Sequence, residues 1–190
     1  ANQYTYIKGY ECKVDEAEIV DGYTIRRYPY ISYGCKSITN KIRNIKNLNI
    51  DIISEKPDLI FVNCAQVYNV IQFKEVKKKL PNVKIVLDFS TKYLNSAKNW
   101  LSKNILHGFI YKSWIQKALP YVDKVFYISA ESRDFAMEMY GIPASMMEHN
   151  NLPGETIPSE LKELYRNEVR QKLGLQDETF LLYTGKIYPD

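Results

Sequence analysis

KPDLIFVNCAQVYNVIQFKEVKKKLPNVKIVLDFSTK, residues 56–92, decides how the rest of the chain is read. Residues 58–63 (DLIFVN) and 84–87 (KIVL) are short, nearly continuous apolar runs, as expected of strands buried on both faces of a parallel sheet. Between them, residues 66–80 place Val67, Val70, Ile71, Phe73, Val76 and Leu80 at helical spacing. Lys74, Glu75, Lys77, Lys78 and Lys79 fill the other face, and Pro81-Asn82 ends the helix. A parallel strand pair needs a crossover, and a right-handed helical one is usual. Ligands of such sheets sit beyond the carboxyl ends of the strands. Those ends carry Asn63-Cys64-Ala65-Gln66 and Asp88-Phe89-Ser90-Thr91, which makes Asn63, Gln66, Asp88 and Ser90 candidate binding residues. Side chains of these types also cap helices that follow strands, and that reading stands beside the first.

Toward the N-terminus, residues 38–55 read as a helix with Ile38, Ile42, Ile45, Leu48 and Ile52 on one stripe; Ile50 falls off it. Residues 18–20 and 23–28 flank the turn dipeptide Asp21-Gly22 and read as a hairpin, or as two strands of which one joins the sheet edge. Residues 3–7 alternate like a further strand. Toward the C-terminus, residues 96–119 predict a long helix with Leu101, Ile105, Leu106, Phe109, Ile110, Trp114, Ile115 and Leu119 buried and Gly108 as a kink point. Its aromatic stripe reads as core rather than as a ligand cage, and His107 within it as structural or surface. Residues 124–129 (KVFYIS) predict a third parallel strand. A helix over 131–140 follows, stopped by Gly141, and residues 145–148 allow a short fourth strand. The turn-rich run 149–154 reads as a linker. It is followed by a helix over 159–173 and a strand over 179–184 (TFLLYT) ending at Gly185-Lys186.

The alternation of helix and strand after residue 35 predicts an α/β fold with a Rossmann-like, doubly wound, mostly parallel sheet. Two domains are expected: 1–154, lacking the first elements of such a fold, and 155–190, a linker helix and the first strand of a second Rossmann-like domain. The 190 residues are 45% hydrophobic and 25% charged, an ordinary globular composition. A net charge of +4 is too mild to suggest nucleic-acid binding. Lys77-Lys78-Lys79 reads as a solvated helix C-terminus complementing the helix dipole, or as a patch for phosphates or anionic headgroups. Cys12, Cys35 and Cys64 show no metal-ligand spacing and read as free thiols of a reducing cytosol, with a Cys12–Cys35 disulfide as the alternative. No apolar run reaches the roughly 18–20 residues of a membrane span, and no signal peptide is visible.

Four pieces, in order, resemble the N-terminal, acceptor-side domain of GT-B glycosyltransferases, and more narrowly the retaining group 1 or family 4 type. Asp21-Gly22-Tyr23-Thr24-Ile25-Arg26-Arg27-Tyr28-Pro29 is similar to that family's DG-hydrophobic-x-hydrophobic-x-R-x-P strand. Lys56-Pro57-Asp58-Leu59-Ile60 is similar to its KPDxI step from helix to strand. Val122-Asp123 with the strand ending at Ser129 resembles a third motif. Arg170-Gln171-Lys172-Leu173-Gly174-Leu175, with Leu181 to Lys186, resembles the R-x-x-L-G-L and G-[RK] pair that opens the nucleotide-sugar domain.

The resemblance implies an enzyme fragment, truncated at both ends and inactive alone. The whole enzyme would transfer a sugar from an NDP-sugar donor to a glycan or lipid-linked acceptor in bacterial cell-surface polysaccharide synthesis. It would use no metal and no cofactor, and would work in the cytoplasm, with a peripheral location at the inner membrane face as an option. Lys77 to Lys79, and the Lys and Trp residues between Lys98 and Lys117, are the candidate membrane contacts. On this reading Asn63, Gln66, Asp88 and Ser90 line the acceptor wall. Ser129, Glu131 and His149 are candidates for the cleft, with helix capping the alternative for Ser129 and a surface role for His149. Gly185 and Lys186 would meet the donor phosphates, the glycine by close backbone approach and the lysine by charge. The catalytic residues are not identified. Three positions depart from the family pattern. Ser90 stands where a His is common, Lys186 where Arg is commoner, and His149-Asn150-Asn151 where Pro-Asn-Gly is usual. The alternative reading is a non-catalytic flavodoxin- or receiver-like α/β binding or signalling module, for which the lone Asp88 is thin support.

Overall fold

The computed structural model describes residues 17–20, 22–93, 95–151, 157–176 and 178–181. The chain divides into two compact units, Ala1–Asn151 and Leu152–Asp190.

The first unit opens with strands β1 (Ala17–Val20) and β2 (Tyr23–Arg26), an antiparallel hairpin registered Val20 to Tyr23. Gly22 takes φ 82°, a turn value that costs little without a Cβ. The hairpin is its own two-stranded sheet. Helices α1 (Lys36–Ile42) and α2 (Leu48–Glu55) lead to strand β3 (Leu59–Asn63). Helix α3 (Phe73–Lys79) leads to β4 (Lys84–Phe89). A π-helical segment, Ser102–Tyr111, runs into α4 (Lys112–Ala118), and β5 (Lys124–Tyr127), α5 (Ala130–Tyr140) and β6 (Met147–His149) complete the unit. The sheet order is β3-β4-β5-β6, every pair parallel. This is a Rossmann-like α/β fold.

The pleat separates two faces. Ile85, Leu87 and Phe89 of β4 and Val125 of β5 are fully buried in one core with Phe135 and Tyr140 of α5 and Ile115 of α4. On the other face Leu59 and Phe61 of β3 stay about half exposed, at 55% and 50%. Phe61, opposite Val86, and Phe126, opposite Asp88, lie on this face with ring centroids 6.5 Å apart. At the amino end of the sheet, Asp123 accepts hydrogen bonds from Lys77 Nζ (2.8 Å), the Ile85 N–H (2.9 Å) and Lys84 Nζ (3.2 Å). Burial opposes its charge, but those three donors outweigh burial and hold the carboxyl down to about 2. Lys77 is thereby a structural clamp rather than part of a free basic patch.

The three central strands form where the apolar runs predict them, and the fourth lies one to two residues beyond its predicted span, taking in His149 from the predicted linker. The helices differ more. The predicted helix 38–55 is two helices, because Arg43 and Asn47 adopt left-handed conformations at φ 51° and 60°. The intervening Ile45 leaves the helix to bridge Tyr30, and Asn69 brackets its backbone, donating to Ile45 O and accepting from Ile45 N, both at 2.8 Å. Those two bonds satisfy backbone groups that a continuous helix would have used. The predicted helix 66–80 begins late. Val67 is extended, residues Tyr68–Gln72 wind as a 3-10 turn, and α geometry starts at Phe73.

The predicted helix 96–119 starts beyond Asn99, whose Oδ1 accepts from Ser102 N at 2.8 Å, and its middle is π-helical. Gly108 suits that geometry rather than a kink: a Cβ there would lie 3.0 Å from the Lys103 carbonyl oxygen. The wider turn also changes which side chains are inside. Phe109, Leu101 and Ile105, predicted as core, are 72%, 64% and 43% exposed. Cys35 and Cys64 carry free thiols.

In the second unit helix α6 (Ser159–Lys172) forms as predicted, and Gly174 follows it at φ 68°. Arg170 donates to the carbonyls of Gln176 and Glu178, folding the chain back along the last turn. Residues 179–181, the described part of the predicted last strand, are irregular. Residues 182–186, with Gly185 and Lys186, lie outside the described residues, as do residues 3–7, Cys12 and Asp21.

Candidate functional site

The carboxyl ends of β3, β4 and β5 gather the sequence candidates, and the pleat sorts them into two groups. Asp88 pairs in register with Asn63 on one side and Phe126 on the other, so all three belong to the half-exposed face. Asp88 is only 7% exposed. Asn150, just past β6, is near enough to favour its charged form, while Oδ1 is buried with no partner among the described residues. Burial pushes this carboxyl up, and Asn150 only partly offsets it. A buried carboxylate oxygen without a donor is expensive, and ordinary folds leave few of them. Asn63 stands beside it, exposed and ending its strand.

Ser90 and Cys64 occupy the strand tips. Cys64 takes a left-handed conformation at φ 60°, its N–H donates to the Asp88 carbonyl at 3.1 Å, and its Sγ lies 3.7 Å from Ser90 Oγ. The tight turn after β3 therefore holds Ser90 half-buried above the end of β4.

The other candidates lie elsewhere. Gln66 is buried on the helix side, where its Nε2 donates to Thr91 Oγ1 (2.8 Å) and Tyr140 OH (3.3 Å). His107 Nδ1 shares a 2.7 Å hydrogen bond with the same Tyr140 hydroxyl. Burial, then the nearby charges of Lys41 and Arg43, lower this histidine to about 4, and burial raises Tyr140 well above the usual tyrosine range. Neither is ionised near neutral pH, so Thr91, Gln66, Tyr140 and His107 form a neutral polar lock between sheet and helices. Ser129 caps α5: its Oγ accepts from Ser132 N at 3.2 Å, and Ser132 Oγ accepts from Ser129 N at 3.0 Å. Glu131 is exposed and pairs with Lys92 at 2.9 Å. His149 is exposed, with its ring 5.4 Å from that of Tyr127.

The structure thus brings together Asn63, Asp88 and Ser90, adds Asn150 and Cys64, and sets Gln66, Ser129, Glu131 and His149 apart from them. Asn150 was passed over as a linker residue. The signal that could have found it is its place just past a strand that extends the sheet. Chemically, the Asp88 carboxylate can accept a hydrogen bond from a ligand hydroxyl or amine, and Asn63 can donate or accept beside it. Among the described residues no group of three or more His, Cys, Asp or Glu side chains is placed to hold a metal ion. Among them, too, no helix is long and apolar enough to cross a membrane. No protein-family model matches the chain, and no curated protein matches it.

Proposed function

We propose that this chain is the acceptor-side part of a GT-B type glycosyltransferase, which moves a sugar from an NDP-sugar to a glycan or lipid-linked acceptor. The observation that carries the reading is Asp88. Its unpartnered Oδ1 stands at the carboxyl end of a central parallel strand, where α/β sheets bind ligands, with Asn63 and Asn150 alongside. A sugar hydroxyl bound at this strand end would give the carboxylate a donor. The four family-like sequence pieces support the same reading, and two of them have visible structural work: Asp123 locks the amino end of the sheet, and Asp58 O accepts from Lys84 N at 2.8 Å where β3 begins. The reading puts the enzyme in the cytoplasm, with a peripheral location at the inner membrane face as an option, and Gly185 and Lys186 at the donor phosphates.

The test is a donor screen on the full-length protein, reading release of nucleoside diphosphate from UDP-, GDP-, ADP- and dTDP-sugars with acceptor extracts. Release from one donor is expected, reduced roughly tenfold or more by Asp88→Asn, the loss of one charge-assisted hydrogen bond. The 190-residue chain alone should release none. Silence of the full-length protein with every donor would overturn the reading.

A further inference from the structure

The net charge of +4 is not spread evenly. Residues 22–50 hold Arg26, Arg27, Lys36, Lys41, Arg43 and Lys46 and not one Asp or Glu, and residues 89–122 are again basic without an acid. The fold joins these stretches where the Tyr111 hydroxyl donates to the Lys41 carbonyl at 2.7 Å, tying the end of α1 to the π-helical segment. Arg43, two residues on, caps α1 in a left-handed conformation, φ 51° and ψ 48°, that a residue with a Cβ seldom adopts. Its side chain is half-buried, and its Nε donates to the Asn40 carbonyl at 3.2 Å. The two terminal guanidinium nitrogens have no hydrogen bond and no ion pair among the described residues, and neither has the exposed Lys41 ammonium.

Three buried side chains feel this charge. After burial itself, Lys41 and then Arg43 lower His107, and Arg43 opposes the upward push that burial gives Tyr111 and Tyr140. No Asp or Glu among the described residues acts on any of the three. The acids of α5, packed behind them, are engaged elsewhere: Glu131 with Lys92, Asp134 with Arg133, and Glu138 with the Tyr93 hydroxyl. Asp88 belongs to the other face of the sheet, and Arg43 does not act on it. A positive potential is thus held, half out of water, with no counter-charge. It falls at the carboxyl end of the sheet. Gln66 and Thr91, which follow β3 and β4, are joined at 2.8 Å, and Gln66 also donates to the Tyr140 hydroxyl on which Arg43 acts. That end is where α/β sheets take their ligands.

We propose that Arg43, with Lys41 beside it, binds the phosphoryl group of a phosphomonoester. With Nε committed to Asn40, the terminal nitrogens remain for a two-oxygen grip, which suits phosphate and carboxylate alike. Charge separates the two. A phosphomonoester carries close to two negative charges near neutral pH and matches both cations, whereas a carboxylate leaves one of them uncompensated. The site stands on charge and burial, not on sugar transfer, and it is not the donor-phosphate position, which the functional reading gives to Gly185 and Lys186.

The experiment is calorimetric titration of the full chain, near neutral pH and without any NDP-sugar, with inorganic phosphate, glucose 6-phosphate, glucose and acetate. The two phosphates should bind, and glucose and acetate should not. Tighter binding of glucose 6-phosphate assigns the site to phosphorylated sugars, and equal binding assigns it to the phosphoryl group alone. Arg43→Gln should weaken binding by roughly tenfold or more, and Arg43→Lys, which keeps the charge without the fork, should not restore it. Lys41→Gln alters an exposed side chain and should weaken binding less. The unaltered protein gives a readout of its own. Bound phosphate covers the charge that helps hold His107 at about 4, so the NMR titration midpoint of His107 should rise, with His149 as the reference signal. No phosphate binding at millimolar concentration, binding untouched by Arg43→Gln, or a His107 midpoint that phosphate does not move overturns the proposal. Phosphate binding by a full-length protein that transfers no sugar leaves this site standing and removes the glycosyltransferase reading; transfer without phosphate binding does the reverse.

Discussion

Helix α5 and the Ser102–Tyr111 segment lie against each other and share a core, yet they come from opposite kinds of instruction. The ends of α5 are set by neighbours in sequence. Ser129 and Ser132 satisfy its first turn, and Gly141 at φ 67° closes it while Pro143 forbids its return. Its regular turns place Phe135, Ala136, Met139 and Tyr140 in the core. The π segment begins just as properly, on Asn99, but its pitch is not written locally. It delivers His107 and Tyr111 to the interior, with His107 reaching Tyr140 and Tyr111 reaching Lys41. Local residues can start and stop a helix; how wide it turns is decided by what its side chains must meet across the fold.

The contact between the two segments is the place to break this comparison hardest. Phe135 is fully buried, with its ring 5.6 Å from His107, 4.7 Å from Tyr93 and 5.5 Å from Tyr140. Phe135→Ala removes the side chain around which the π turn is wrapped. Urea unfolding should show a loss of about 3–5 kcal/mol. A loss below about 1 kcal/mol would mean that the segment keeps its pitch without α5 and that the comparison is wrong.

A smaller effect tests the polar half of the contact. His107 is held at about 4, below its ordinary value, so between the two the unfolded chain binds a proton that the folded chain refuses. Stability therefore falls as pH drops from about 6.5 through about 4, by on the order of 3 kcal/mol in all and roughly 2 kcal/mol by pH 5. His107→Gln keeps an amide that can meet Tyr140 and carries no titration. The difference in unfolding free energy between the two proteins should change by that amount over this range. A difference that stays flat would place His107 in water and undo the neutral lock.

These same contacts explain what the sequence shows and what it conceals. The strands were legible because a parallel strand buried among neighbours is a continuous apolar run whatever its surroundings, and residues 58–63 and 84–87 are such runs. Position at a strand's carboxyl end was legible too, which is why Asn63, Asp88 and Ser90 were singled out. Their environment was not. Gln66 and Asp88 look alike as polar residues near strand ends, but Gln66 turns to partners 25 and 74 residues away, while Asp88, between Asn63 and Phe126 in the sheet, keeps one buried oxygen without a partner among the described residues. The break in the predicted helix 38–55 depends on Asn69, a residue of the following crossover, and the exposure of Leu101, Ile105 and Phe109 depends on a pitch that an α-helical reading of residues 96–119 turns inward. In each case the missing information is a partner far along the chain.

The smallest prediction asks whether the two segments differ at their starts at all. Ser129→Ala removes the acceptor of the Ser132 N–H, and Asn99→Ala removes the acceptor of the Ser102 N–H. Each leaves one first-turn donor without its side-chain partner, and each should cost about 1 kcal/mol in urea unfolding. Equal losses would locate the difference between the helices in their interiors, where Gly108 and His107 sit. The Ser129 loss could run somewhat larger, because Ser132 is buried and its hydroxyl also bonds the Ser129 backbone, so the reciprocal pair is weakened at both ends. An Asn99→Ala protein that loses nothing would show that the π segment is held by its contacts to α5 and α1 alone. Its pitch would then owe nothing to local sequence, even at the first turn.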